Sequence, residues 1–346
     1  MIPFECNRPV LLEDCTLALT QLDREQQLDH LANLALLGVG RVELKPGPDL
    51  AVLVEECAEL GLTAVVCLAN AAALEETLMP GLEVRVSPAL LPTARERQLP
   101  CWLVLSGAGQ ISPAALAREL TRARDHQVLG VCMQDELGVA TPDGVFRLGA
   151  FCRNAQEALG MQIEILWSQR DTEGTGIYGA LQALRSGLSG VRCAGLGLGG
   201  MIALDTLLLN LVLEGLWSGP TEALKTCCAH LVESLDLRLP ANYPLAGRDA
   251  FCTSTGVHAR AMQKALQMGQ PALADQVYSV VAPGRFGFSH RIEVGPLSGR
   301  SNVECWLMER GLSASPKTVG RILERAKAHY RSLDDQEILA LLEDRS

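Results

Sequence analysis

VLLEDCTLA at residues 10–18, DREQQLDHLANLALLG at 23–38 and GRVELK at 40–45 form one complete cycle of a pattern that recurs down most of the chain. A short aliphatic run is followed by a longer segment with Leu and Ala three and four positions apart, then by another aliphatic run. The first and last have the composition of strands, and the middle has the period of an amphipathic helix. Working outward, strands are expected at 10–18, 40–45, 62–68, 82–87, 101–106, 128–133, 162–167 and 189–195. Helical segments such as Arg24–Leu37 and Ser112–His126 lie between them, with Asp49 and Ser112 as N-caps and Gly38, Gly61 and Gly187 as C-terminal stops. Eight β-α units in succession can build an open doubly wound sheet or a closed barrel, and the count favours a (β/α)8 TIM barrel. No G-x-G-x-x-G follows the first strand, and no phosphate loop of the G-x-x-x-x-G-K-[ST] type occurs. GLGLGG at 195–200 follows the eighth strand instead, as a tight turn or as an anion cradle at a helix N-terminus.

The period changes after residue 217. The barrel is assigned to 1–217 and a C-terminal, mainly helical extension to 218–346, with helices at 302–311, 316–331 and 334–343 and Ser315 capping the second of these. The most apolar stretch, Met201 to Trp217, is broken by Asp205, Asn210 and Glu214, whereas a membrane span needs about 20 consecutive apolar residues. It reads as a buried helix. A formal net charge of −10 sets up a field that repels phosphate backbones, so nucleic acid is not an expected partner. Twelve cysteines, with no C-x-x-C spacing and several inside apolar runs (Cys67, Cys101, Cys132, Cys193), read as buried reduced thiols rather than a disulfide framework. The stretch MIPFECNRP has neither the basic start nor the apolar core of a signal peptide, and a cytoplasmic location is expected.

Several segments, in collinear order, resemble the homocitrate synthase and 2-isopropylmalate synthase family, metal-dependent acyltransferases on a (β/α)8 barrel. GRFGFSHRIEVGPLSGRSNV is similar to that family's G-R-S-x-R-[IL]-V-L-G-K-H-S-G-R-x-x-V, keeping Arg291, Gly295, Ser298, Gly299, Arg300 and Val303. FCTSTGVHARAM resembles F-[TA]-H-E-S-G-I-H-x-x-x-[ML], keeping Phe251, Gly256 and His258. LEDCTLALTQ resembles D-T-T-L-R-D-G-E-Q through Asp14, Thr16 and Leu17, and LLGVGRVEL keeps Glu43 of the second strand. MQDELGVATP is similar to A-D-T-x-G-x-x-x-P, with Asp135, Gly138 and Pro142. The resemblance implies condensation of acetyl-CoA with a 2-oxo acid at the barrel's C-terminal mouth, and pairing of chains through their C-terminal segments, as a homodimer or as a heterodimer with an active paralogue.

The departures from the family pattern fall on its chemistry. The Arg-Asp that ends the family's first strand is Ala18-Leu19, the H-x-H ending its seventh strand is replaced within ILWSQRDTEG, and the Asn of G-L-G-E-R-A-G-N corresponds to Leu204 in GLGGMIAL. No His occurs between His126 and His230, so that loss does not depend on the alignment. The expectation is a degenerate member with no metal and no cofactor, because nothing in the substituted set repays the dehydration of a hard cation. Glu136 stands where the family has a threonine and would oppose an anionic substrate.

The candidate catalytic residues are His258, Glu43 and Lys45, and the candidate substrate-binding residues are Asp135, Ser298 and Arg300. His258 suits general acid-base work or is a structural remnant. Glu43 and Lys45 lie two apart and therefore share one face of the second strand, where Lys45 is a Schiff-base candidate or a solvated lysine. Of Asp135 and Glu136 only one is expected to enter the barrel, because alternate strand residues face opposite ways. Arg300 is an ion-pair partner or a ligand contact.

Overall fold

The computed structural model describes residues 9–70, 79–277 and 279–343; residues 1–8, the N-terminal stretch read above, lie outside it. Eight parallel strands form a closed barrel in sequence order: β1 (Leu11–Asp14), β2 (Arg41–Leu44), β3 (Thr63–Cys67), β4 (Leu82–Val86), β5 (Cys101–Leu105), β6 (Gly130–Asp135), β7 (Glu164–Gln169) and β8 (Gly190–Cys193). The sheet closes where β8 pairs with β1, Gly190 opposite Leu11 and Arg192 opposite Glu13, which rules out the open-sheet alternative. Six strands lie within the runs expected from the aliphatic pattern and are shorter than them, whereas β6 and β7 overlap theirs and extend two residues further toward the C-terminal end.

Local chemistry starts and stops the helices as the sequence suggests. Ser112 accepts a hydrogen bond from the Ala115 amide (3.2 Å), and Asp23 forms a reciprocal capping box with Gln26. Asp49 occupies an N-cap position without a side-chain bond to the helix it precedes. Gly61 has φ +73°, the left-handed conformation that lets the chain leave one helix and enter β3. Outward strand residues such as Val42, Val84, Val131, Ile165 and Val191 are buried and supply the apolar wall between sheet and helices. The apolar stretch beginning at Met201 contains a buried helix, Leu204–Leu213. Among the described residues no helix is long and apolar enough to cross a membrane.

The chain divides into two compact units at Leu237. The first extends past residue 217 because the helix Leu224–Ser234 packs back on the barrel: His230 Nε2 donates to the Gln26 carbonyl (3.0 Å) and its ring stacks on that of His30, 6.1 Å away. The second unit holds the helices Gly256–Gln267, Pro271–Gln276, Arg300–Glu309, Pro316–Lys327 and Asp335–Glu343, with Cys252–Thr253 pairing with Arg291–Ile292. Its core gathers Val294, Val303, Trp306, Leu307, Ile322 and Ile338. Ser315 caps Pro316–Lys327 through the Thr318 amide (3.1 Å), as expected. All cysteines within the described residues are free, and most are buried, but Cys67 is exposed and Cys252 is half-buried.

Candidate functional site

Inside the barrel, every second strand residue points to the axis, and the strand sequences place charges there. The floor is apolar: Leu11, Trp102, Cys132 and Leu166 pack together. Next come Arg41 and Glu83, joined at 2.6 Å, with Arg41 4.2 Å over the Trp102 ring and the Trp102 indole N–H donating to Glu83 at 2.7 Å. Nearer the C-terminal end, Arg85 from β4 binds Glu13 of β1 and donates to Glu43 of β2 at 2.7 Å. Arg192 from β8 also donates to Glu43 (2.7 Å) and lies 3.7 Å from Glu13, while Arg41 reaches Glu13 at 3.2 Å. Glu13, Glu43 and Glu83 thus face Arg41, Arg85 and Arg192, three charges of each sign.

Isolated charges could not be buried this deeply; pairing makes it tolerable. Burial alone would raise the Glu13 carboxyl's pKa, but Arg85 first, then Arg41 and Arg192, outweigh it and hold the group below its ordinary value. Burial opposes the charge of Arg85, and its anionic neighbours, Glu13 and Glu43 among them, reverse that and raise its pKa. Its Nε, facing no acceptor, is left without a hydrogen bond.

Above this network, Arg192 also donates to Ser168 Oγ (3.2 Å) and touches Met201 Sδ (3.9 Å). Met201 packs with Cys15, Ala194 and Leu198, so the segments after β1 and β8 lay apolar side chains there. Ala18 and Leu19 sit in the short helical turn Thr16–Leu19 that follows β1, with Leu19 half exposed. At the end of β7, Ser168 faces inward and Arg170 follows it two residues on; Gln169, facing outward, accepts from Trp167 and donates to the Ala140 carbonyl. Leu204 is buried at the start of its helix. In GLGLGG, Thr16 Oγ1 takes the Gly195 amide (2.9 Å) and Asp205 takes that of Leu196 (2.9 Å), so side chains of the protein bind the amides that an anion would need.

Glu43 lies inside the barrel between two arginines, whereas Lys45 is exposed on the loop beyond β2. Asp135 is buried but faces the loop layer, accepting from the Ala140 amide (2.8 Å) and packing on Gly109, where a Cβ would collide with it. Glu136 is exposed and accepts from the Gly107 amide (2.9 Å); partial burial raises its pKa, but that bond and one with Ser106 bring it below the usual range. The other three candidates belong to the second unit. His258 lies 3.3 Å from Thr253 Oγ1 and lines a cavity of about 220 Å³ with His290, Phe251 and Cys252. Ser298 is buried, accepting from the Gly295 amide and donating to the Ser254 carbonyl (2.7 Å), while Arg300 is exposed at a helix start. Five members of the network, Glu13, Arg41, Glu83, Arg85 and Arg192, went unread in the sequence. Their signal was a charge at every second position of an otherwise aliphatic strand, as in RVEL and LEVRV.

No family model matches the chain. Curated relatives include an (R)-citramalate synthase of Aquifex aeolicus, 31% identical over 188 residues, covering 51% of this chain and 34% of the relative. A homocitrate synthase of Methanopyrus kandleri is 26% identical over 199 residues (56% and 47%), and a 2-isopropylmalate synthase of Shouchella clausii is 23% identical over 240 (66% and 45%). The chain spans less than half the length of these relatives. Among solved structures, the hydroxymethylglutaryl-CoA lyase of Pseudomonas aeruginosa superimposes with a TM-score of 0.54 at 17% identity, covering 70% of this chain and 97% of the lyase. The corresponding lyase of Brucella melitensis gives 0.53 at 16% (66% and 99%). At that identity the likeness concerns the barrel fold alone, while the curated relatives carry the likeness in sequence. The chain is thus similar in sequence, over about half to two thirds of its length, to (R)-citramalate, homocitrate and 2-isopropylmalate synthases, and similar in fold to the lyase barrels.

Proposed function

We propose that this chain has lost the metal-dependent condensation of its relatives and serves as a binding or partner subunit. The observation that carries the reading is the buried network in which Glu43 is held by Arg85 and Arg192. In the family resemblance, Ala18, Leu19 and Leu204 stand at positions of the polarising arginine and of metal ligands, and β7 ends in Ser168-Gln169-Arg170 in place of two imidazoles. These residues do not fit a divalent cation: Ala and Leu offer no donor, Arg170 and Arg192 are cations, and the carboxylate of Glu43 is already committed. Without an electrophile at the mouth, the charge developing on a 2-oxo acid loses what is commonly the largest stabilising contribution.

The partner envisaged is a second copy or an active paralogue bound through the C-terminal unit in a cytoplasmic assembly, with acetyl-CoA or a 2-oxo acid as the ligand class retained. The test is release of CoA thiol from acetyl-CoA with a panel of 2-oxo acids, with Mg, Mn or Zn and with chelator, beside an active family member. Absence of turnover, together with no stoichiometric metal in the purified protein, is the expected result; metal-dependent turnover overturns the reading. The second reading is an acyltransferase or aldolase with a rearranged, metal-independent site using Lys45, Glu43 and His258. The exposure of Lys45 at the barrel rim favours it, since that amine is accessible to a carbonyl substrate. Chelator-resistant turnover abolished by Lys45→Ala or His258→Ala would establish it.

A further inference from the structure

The first unit has a second concave site, on the outside of the barrel. Between the helices Pro113–Asp125 and Pro142–Ala158 opens a cavity of about 580 Å³, within the range that accommodates small organic ligands. Its walls are Ile111, Leu116, Leu148 and Phe151, and it reaches inward to Trp167 on β7. Only Thr141 and Arg147 among its lining residues have polar side chains.

Arg147 gives the cavity its chemical preference. Asp143 precedes it by one helical turn, the spacing at which an acid and an arginine ordinarily pair, yet no ion pair joins them. On the facing helix, Arg122 pairs with Glu119 and Arg124 with Asp125. Arg147 instead lines the cavity with an exposed, uncompensated guanidinium. Exposed Val139 also lines the cavity, so its approach is apolar as well as cationic.

We propose that this cavity binds an anionic amphiphile, an acyl or aryl carboxylate whose apolar body lies against Trp167 and Phe151 and whose carboxylate pairs with Arg147. The site uses none of the barrel-interior residues, so it stands whether or not the interior turns anything over. The experiment is calorimetric titration of the intact protein, below micelle-forming concentrations, with decanoate, decan-1-ol and decyltrimethylammonium. Decanoate binds saturably, one per chain, and more tightly than either analogue. Arg147→Gln weakens decanoate about fivefold, the scale of an exposed ion pair, and leaves decanol unchanged. Gly144→Leu fills the cavity from a position where a Cβ meets only Thr141 Oγ1 (3.1 Å), and it weakens all ligands at least tenfold. Failure of decanoate to saturate, equal binding of the cationic analogue, or affinity for decanoate untouched by Arg147→Gln overturns the proposal. That last variant is on the surface and keeps the test decisive if Gly144→Leu does not fold.

Discussion

Arg85 and Glu13, 72 residues apart in sequence, meet in the barrel interior from strands β4 and β1, both wholly shielded from solvent. Neither has water to fall back on, so each depends on the other's charge. Replacing Arg85 with Leu takes one partner from each of two buried carboxylates, Glu13 and Glu43, and should cost about 3–5 kcal/mol, as for other broken buried pairs. Lys45→Ala, on the exposed rim, should change stability by no more than about 0.5 kcal/mol. Urea unfolding midpoints measure both, and equal midpoints would mean the interior network contributes nothing.

The same pair sets an acid limit. The pKa of Glu13 is lowered from its ordinary value of 4.5 by Arg85, Arg41 and Arg192, whose combined effect exceeds the opposing effect of burial. A depressed carboxylate contributes stability that is fully present above its unfolded-state pKa and is lost as pH falls through the folded value. Stability should therefore hold down to pH 4.5 and decline below it, and Glu13→Gln, less stable at neutral pH, should show a shallower decline. Unfolding midpoints at neutral pH and at about pH 3 decide between these slopes.

Thiol reactivity should follow exposure. Burial pushes Cys57 and Cys152 up to about 12 and raises Cys15, Cys193 and Cys228 well above the usual thiol value, whereas Cys67 lies at the surface at the end of β3. Alkylation of the native protein at about pH 8, read by peptide mass spectrometry, should modify Cys67 before any of the nine buried thiols. Its own raised pKa, from partial burial and from the nearby Glu43 charge, should make even that reaction slower than for a free thiol. Labelling of Cys132 at the rate of Cys67 would contradict the closed interior.

Barrel closure rests on a glycine. A Cβ at Gly190 would collide with the Leu11 carbonyl on the neighbouring strand, so Gly190→Ala must push β8 and β1 apart. The expected loss is about 1–3 kcal/mol, the range for overpacking, against no more than about 0.5 kcal/mol for Gly47→Ser, whose Cβ would meet nothing and whose backbone is not left-handed. The pair is compared by thermal unfolding, and indifference to Gly190→Ala would mean the seam is looser than the strand pairing indicates.

The eight strands were legible because the aliphatic runs recur with a regular helical interval between them, but the shared face expected of Glu43 and Lys45 does not form, because β2 ends at Leu44 and leaves Lys45 exposed on the loop. The partners of Glu43 were not legible. Which arginine meets which carboxylate depends on the stagger of strands around the barrel, and Arg85 and Arg192 lie 42 and 149 residues from Glu43. Nor did the alternation rule decide whether Asp135 or Glu136 enters the barrel: strand register directs Asp135 into the loop layer, while Glu136 lies beyond the strand's end. The first compact unit runs to Leu237, past the change of period at 217, because that change marks where β-α alternation stops and not where packing on the barrel stops.

The arginine-laced interior resists piecemeal change. An aspartate introduced at Leu19 and imidazoles introduced on β7 would meet a barrel whose Glu43 carboxylate already belongs to Arg85 and Arg192. Removing an arginine first orphans a buried acid, and removing an acid first orphans a buried guanidinium. Every single removal of a charge from this set gives a less stable protein, so the six charges are held as one unit that changes together or not at all.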